Sequence, residues 1–489
     1  MLKLLSASES SELLAFFEQA GYNEPSIRTR LGSAELPSKQ LRNEARLLDR
    51  TREPTLFNVL VRWFWLARAL CEEDFTSLVP DGFLTLLLKS ELLRREAGKM
   101  RATAMLLPYD HFLVASDHPE AIERKESAMV LWPNPTSKFL ARFSVRRHSR
   151  ATLDLGTGSG ILSLGAARYS DQVVATDLNQ RAVEFAKFNA RLNGVEKIEV
   201  LAGDCFAPVE GRKFDLILCN PPFFITPESD YLFCDNSMDL DQLCRRLVKE
   251  GPAYLNEDGY MQMLCEWAEI EGEPWEERIA EWLSGTGCDG WVMKGLTQDP
   301  AEYAQHRIKE TYGNQGGDAE LYHGYMTYYR KRGVKAIHDG LIVIRRRTGA
   351  NWVKIEEVPK TPTGDLGEMI LSTFAAQDLA ILMEEDENLL NAHPVLAANV
   401  RLEQICFQSE GRWRAESLTM HLNSGFPFHM TVQPLVAEFL ATCDGTRTTA
   451  EAIRAFADTA GAPLETVRNE CLTLIRKLIQ RGFITIPKA

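Results

Sequence analysis

Residues 151–178 read ATLDLGTGSGILSLGAARYSDQVVATDL. ATLDL is a short apolar run of strand type, ILSLGAARYS carries apolar residues at helical spacing, and QVVATDL is a second strand-like run. Gly156, Thr157, Gly158 and Gly160 fill the turn between the first strand and the helix. Glycine lets a backbone pass close to a ligand, and a loop of this kind serves a dinucleotide, a phosphate or a nucleoside equally well. A strand, a glycine loop, a helix and a second strand make the opening unit of a parallel α/β sheet.

The alternation continues downstream. IEVLAG, FDLILCN and YMQMLCEW read as strands, with QRAVEFAKFNARLNG and DLDQLCRRLVKEG as helices between them. WEERIAEWLSG and AEYAQHRIKETYG are further helices, and GWVMKG and KAIHDGLIVIRRR further strands. Open α/β sheets bind ligands at the carboxyl ends of their strands. Four polar features fall there. Asp154 lies at the end of the first strand, just before the glycine loop. Asp177, followed by Leu178, ends the second strand 21 residues after Gly156 and is placed to accept hydrogen bonds from both ribose hydroxyls. The third ends in Gly203-Asp204-Cys205, where a carboxylate can meet an adenine amino group. The fourth ends in Asn220-Pro221-Pro222-Phe223, and two prolines stop a strand because neither donates a ladder hydrogen bond. Each feature also has a purely structural reading: Asp154 as a brace for the loop, Asp177 and Asp204 as helix caps, Phe223 and Phe224 as core. Their joint placement at consecutive strand tips favours function.

These residues resemble the class I S-adenosylmethionine-dependent methyltransferases, specifically the amino-methylating group with an Asn-Pro-Pro-aromatic motif. The resemblance runs over about residues 130–347. It implies a Rossmann-like seven-stranded methyltransferase sheet and S-adenosyl-L-methionine as cofactor. The cofactor would be held by Asp154, Gly156, Thr157, Gly158, Gly160, Asp177, Leu178, Asp204, Cys205 and Asn220. It further implies catalysis by Asn220, Pro221, Pro222 and Phe223 on a planar NH2 group. Such a nitrogen is a poor nucleophile because its lone pair is delocalised. The Asn220 side-chain oxygen and the Pro221 carbonyl can accept its two hydrogens, orienting the lone pair and dispersing charge as the bond forms. The prolines hold the acceptors rigid, and Phe223 can pack on the flat face of the acceptor. Phenylalanine stands where glutamine and most adenine methylases of this group carry tyrosine, and it occurs in the guanine-N2 branch. The motif therefore leaves the acceptor open. Tyr231, Asp235 and Asn236 follow it closely and are candidates for the acceptor pocket.

The whole chain sets the remaining expectations. Its 489 residues exceed one compact core, and no apolar run reaches the ~20 residues of a membrane span. The start, MLKLLSASESSELLAFFEQ, places acids where a secretory signal would stay apolar, so a cytoplasmic location is expected. The ten cysteines are scattered singly without a CxxC pair, as in a reduced compartment. Net charge is −13, which disfavours non-specific phosphate binding. Only residues 1–150 are mildly basic, with 22 Lys and Arg against 19 Asp and Glu. RKRGVK (330–335) and RRR (345–347) form a basic cluster that suits phosphate, acidic protein or plain solvent.

Four segments are expected. Residues 1–145 form a mainly helical, winged-helix-like domain, with DGFLTLLLKSELLRREAG as one helix and RATAMLLPYDHFLVAS as a hairpin. Residues 146–350 form the methyltransferase domain, 351–430 a mixed α/β connection, and 431–489 a winged-helix-like end with Thr448 and Pro463 at helix starts. The first segment enters the sheet through WPNPTSKFLARF and is placed to cover its carboxyl edge. The favoured partner is a macromolecular methyl acceptor, a protein glutamine amide ahead of a ribosomal RNA or DNA base. A small-molecule acceptor and a cofactor-binding module without catalysis are the other readings.

Overall fold

The computed structural model describes residues 2–32, 44–124, 126–227, 232, 238–312, 318–358 and 362–487. The chain forms two compact units, Met1–Ala141 with Arg147–Glu357, and Arg142–Arg146 with Val358–Ala489.

The first unit is built on a sheet of eight strands: β1 Ser149–Leu155, β2 Ser170–Asp177, β3 Ile198–Ala202, β4 Phe214–Cys219, β5 Leu255–Ile270, β6 Cys288–Gln298, β7 Val334–Arg346 and β8 Val353–Glu357. Their order across the sheet is β3-β2-β1-β4-β5-β7-β6-β8. This is the Rossmann-like α/β fold expected of the sequence, with β8 added at the edge, where it pairs parallel to β6. β7 runs antiparallel to both its neighbours. Leu216, Ile217, Leu218 and Cys219 of β4 are all buried, as a central strand covered on both faces requires. Strand order reverses between β1 and β4, and that crevice is where open sheets bind ligands.

Among the described residues, those between Leu5 and Ala115 share an apolar core with the helix Gln180–Leu192 of this sheet. Phe185, Phe188 and Leu192 of that helix belong to one apolar core with Leu13, Phe17, Trp63, Phe64 and Phe83. Trp63, Phe64 and Trp65 are consecutive, yet all three are buried. They lie in a π-helical turn, Val61–Trp65, that widens the end of the helix Leu56–Leu60. Polar clasps complete the seam. Buried Asn189 accepts the Ala115 N–H at 2.8 Å and donates to the carbonyls of Ala115 (2.9 Å) and Ser159 (2.7 Å), the last within the glycine loop. Residues 128–137 then run along the carboxyl edge of the sheet, where Asn179 Nδ2 donates to the Ala128 carbonyl at 2.9 Å.

One expectation for this region fails. The stretch 81–98 is not a single helix: the helix is Asp81–Lys89, and Leu93–Glu96 is a strand paired with Lys99–Ala102. Its residues favour a helix, but Ala97 and Gly98 both adopt positive φ, +49° and +75°. That pair makes a tight two-residue hairpin turn, and strand pairing overrides the helical preference. The hairpin of residues 101–116 forms as read, from Met105–Tyr109 and Phe112–Ser116.

In the second unit the helix Leu366–Leu382 is followed by three antiparallel strands, Val400–Ser409, Arg412–Leu422 and His429–Val432. The last residues give three helices, Pro434–Ala441, Thr449–Ala460 and Leu464–Gln480. Thr448 caps the second through a reciprocal bond pair with Glu451. Pro463 is the N-cap of the third.

Candidate active site

Asp154 lies fully buried under the glycine loop. Its Oδ2 accepts the Thr157 hydroxyl (2.6 Å), the Ser163 N–H (2.9 Å) and the Ser163 hydroxyl (2.5 Å). Its other oxygen, Oδ1, is buried without a hydrogen-bond partner. Burial pushes the carboxyl up to about 6 against the pull of those three bonds. Thr157 thus braces the loop from below, and Ser163, which sequence reading missed, supplies the matching contact from the first turn of the helix. The signal available was its position three residues after Gly160.

The loop is tied to the second strand as well. The N–H groups of Gly156 and Thr157 both donate to the Thr176 carbonyl at 2.9 Å. Gly158 donates to Asp177 Oδ2 at 2.8 Å, and Asn179 N–H takes Asp177 Oδ1 at 2.8 Å. Desolvation raises the Asp177 carboxyl, and these two backbone donors oppose it. Gly158 has φ +54°, and a Cβ added there would meet nothing within 4 Å. The space over the loop is therefore open to a ligand. Gly160, at φ +84°, would instead place a Cβ 3.4 Å from Ala186, so its smallness serves helix packing. An open cradle, a buried unpartnered carboxylate oxygen and an acid at the second strand tip fit a nucleoside cofactor carrying a positive charge.

Leu178 is exposed at the rim. Asp204 is exposed, and Arg246 Nη1 approaches its Oδ2 at 3.2 Å. Cys205 donates its Sγ–H to Asp204 Oδ1 at 3.1 Å, and burial with that neighbour holds its thiol up at about 12, so it is no nucleophile. Arg246, on the helix Gln242–Glu250, was not foreseen.

Asn220 follows β4 directly, with Cys219 paired to Met263 of β5. Its Nδ2 donates to Ser137 Oγ at 3.2 Å. Among the described residues no hydrogen bond reaches Asn220 Oδ1 or the Pro221 carbonyl. Asn220 and Pro221 follow the carboxyl end of β4, where Cys219 pairs with Leu155 at the end of β1, just before the glycine loop. Phe223 packs against the core shared by β1, β4 and β5, and meets Phe224 edge-on at 5.2 Å. The Arg307 guanidinium stacks 4.1 Å over the Phe224 ring. Ile225 is pinned on both sides: its N–H donates to Tyr303 Oη at 3.1 Å, and its carbonyl accepts Tyr329 Oη at 2.7 Å. Tyr303 in turn donates to buried Glu266. None of these supports was visible in the sequence. Tyr231, Asp235 and Asn236 lie outside the described residues.

Much of the basic cluster is held in ion pairs and hydrogen bonds, while Arg330 and Lys331 stand exposed at the end of the helix Asp318–Arg332. Arg332 bonds Asp239, Lys335 pairs with Glu271 at 3.0 Å, and Arg345 and Arg347 both meet buried Asp289. Arg346 donates to the Pro252 carbonyl at 2.9 Å.

Glu266 gives a pH test. Burial lifts its carboxyl from 4.5 to about 7, against the pull of Arg307 and the Tyr303 hydroxyl. Between those values the folded chain holds a proton that the unfolded chain has lost, so stability falls as pH rises through this window and levels off above about 7. Thermal denaturation between about pH 5 and pH 8 should show this fall, and Glu266→Gln, neutral throughout, should flatten it. A Glu266→Gln curve with the same slope as wild type over this range contradicts the assignment.

The family described as methyltransferase small domain matches residues 134–269, and a domain of unknown function matches residues 377–486. A Methanocaldococcus jannaschii protein with the provisional name protein N5-glutamine methyltransferase is 33% identical over 154 residues, which are 30% of this chain and 73% of that relative. The release factor glutamine methyltransferase of Geobacter sulfurreducens is 29% identical over 188 residues, 35% of this chain and 62% of its own. The ribosomal RNA small subunit methyltransferase C of Alcanivorax borkumensis is 30% identical over 113 residues, 23% of this chain and 31% of its own. The chain thus spans less than two thirds of the latter two. Among the described residues no helix is long and apolar enough to cross a membrane. With its glycine loop and Asn-Pro-Pro-Phe tip on adjacent strands of a β3-β2-β1-β4-β5-β7-β6 sheet, this chain belongs to the methyltransferase small domain family of S-adenosylmethionine-dependent methyltransferases.

Proposed function

We propose that this chain methylates the planar NH2 nitrogen of a macromolecule, and that this nitrogen is the side-chain amide of a protein glutamine. The observation that carries the reading is Asn220: its nitrogen is anchored on Ser137, which leaves its oxygen and the Pro221 carbonyl as paired acceptors beside the glycine loop. S-adenosylmethionine, when bound, supplies the sulfonium methyl group. Gly156, Gly158 and Gly160 would cradle it, Asp177 would accept its ribose hydroxyls and Asp204 its adenine amino group, with Leu178 and Cys205 flanking. Asn220 and Pro221 would take the two hydrogens of the acceptor NH2, so that the nitrogen lone pair stands out of the plane and the growing positive charge is shared over two oxygens. Pro221 and Pro222 fix those oxygens, and Phe223 supplies an apolar wall. The proton leaves after charge has developed, so no strong base is required.

Glutamine is favoured by the names of two of the relatives, by the net charge of −13, and by the ion pairs that hold Arg332, Lys335, Arg345 and Arg347. The second reading, a ribosomal RNA base, is favoured by Phe223 and by the third relative. Labelled S-adenosylmethionine incubated with purified release factor, small-subunit ribosomal RNA and whole cell extract separates the two. We expect label in protein, at glutamine. Label confined to RNA selects the second reading and overturns the first.

A further inference from the structure

We propose that Ser137 is a positioning residue that fixes which end of the Asn220 amide faces the acceptor. The inference rests on the reading of Asn220 as the acceptor-binding amide and adds what holds its polarity. An asparagine side chain presents an oxygen at one end and an NH2 at the other, of nearly equal size, so nothing in its shape prevents it from turning over. A turned Asn220 would offer N–H groups to an incoming NH2, and two donors facing each other make no bond.

The hydrogen bonds at the start of the helix Pro135–Phe143 settle the direction. The Ser137 backbone N–H can only donate, so the Asn134 atom 2.8 Å from it is the oxygen, Oδ1. Asn134 is thereby the cap of that helix, ahead of Pro135 in its first position. The same Oδ1 receives the Ser137 hydroxyl at 2.9 Å and the Thr136 hydroxyl at 2.8 Å. The single hydroxyl proton of Ser137 is thus committed to Asn134, and its oxygen has only lone pairs left to offer. Asn220 stands 3.2 Å from that oxygen. Only the NH2 end can satisfy it, so the amide oxygen turns the other way. Polarity passes from a backbone N–H through Asn134 and Ser137 to Asn220, across 83 residues of sequence. The relay commits the site to acceptors that donate N–H, a carboxamide or an exocyclic base amine, and against those that offer only oxygen or ring-nitrogen lone pairs.

The test uses the full chain with S-adenosylmethionine bound. With 15N-asparagine labelling, the Asn220 side-chain amide is identified as the resonance missing in Asn220→Asp. Ser137→Ala, which alanine's helix preference makes tolerable at this position, should speed exchange of the two Asn220 amide protons about fivefold, the equivalent of one ordinary hydrogen bond. It should lower kcat on the label-accepting fraction by a similar, roughly fivefold factor while the KM for S-adenosylmethionine stays unchanged. Ser137→Thr, which keeps the hydroxyl, should restore both. The proposal requires both changes, and exchange or kcat altered alone overturns it. Asn220→Ala keeps the two ideas apart. If that variant is inactive while Ser137→Ala behaves as wild type, the relay fails and the role of Asn220 stands. If Asn220→Ala turns over normally, the role of Asn220 fails, and the relay with it.

Discussion

Asn220→Ala is expected to lower methyl transfer by about 10²–10³-fold, roughly 2.7–4 kcal/mol of transition-state stabilisation. Cofactor affinity should stay within about twofold, because the glycine loop and Asp177 are held by bonds that do not involve this residue. The expectation follows from what the side chain does in the fold. Among the described residues its one hydrogen bond goes to Ser137, so its removal costs little structure, and on the proposed mechanism its oxygen takes a hydrogen of the reacting nitrogen. A preorganised acceptor at a site of developing charge is worth more than an ordinary hydrogen bond, since it needs no reorientation as the reaction proceeds. Single-turnover transfer from labelled cofactor, beside calorimetric titration of the same variant, separates the two effects. Normal turnover removes Asn220 from the mechanism, and a large loss of affinity with normal turnover moves it to cofactor binding.

The second large effect is expected at Asp177. Asp177→Ala should weaken S-adenosylmethionine binding by about 1.5–3 kcal/mol, or roughly 10–150-fold. The carboxylate, proposed as the ribose acceptor, also ties down the loop: Oδ2 holds the Gly158 N–H and Oδ1 the Asn179 N–H, both at 2.8 Å. Alanine would remove the proposed ribose acceptor and also free the loop backbone at Gly158. Asp177→Asn keeps one acceptor and should lose less. Calorimetry on both variants gives the order, and an unchanged affinity for Asp177→Ala refutes the assignment.

Much of the fold was legible because its signals are local. The apolar runs of β1 to β7 mark strands wherever they stand in the sheet, and glycines at 156, 158 and 160 announce a turn that tolerates positive φ. Asp154, Asp177, Asp204 and Asn220 could be placed because each lies within a residue or two of a strand end. Contacts between distant residues were not legible. Tyr303 and Tyr329 reach Ile225 across 78 and 104 residues; Tyr303 reads as an ordinary helix residue, and the helix Asp318–Arg332 that carries Tyr329 was not read from the sequence. β8 was lost in a stretch without clear period. The helix Leu366–Leu382 hid in the same stretch, because its apolar residues do not keep to one side. At Leu93–Glu96 local preference pointed to helix, and pairing with Lys99–Ala102 decided otherwise.

The core that described residues between Leu5 and Ala115 share with the helix Gln180–Leu192 has a consequence for synthesis on the ribosome. Trp63, Phe64 and Phe83 cannot complete their packing until Phe188 and Leu192 have emerged. Growth from Ala115 to Leu192 takes about 4–15 s at roughly 5–20 residues per second. Through that interval the nascent chain carries an aromatic surface without its cover, and the β1 glycine loop emerges before the helix that clasps it. The amides of residues 113–115 should gain their protection in the same kinetic step as those of β1 and β2, and not before.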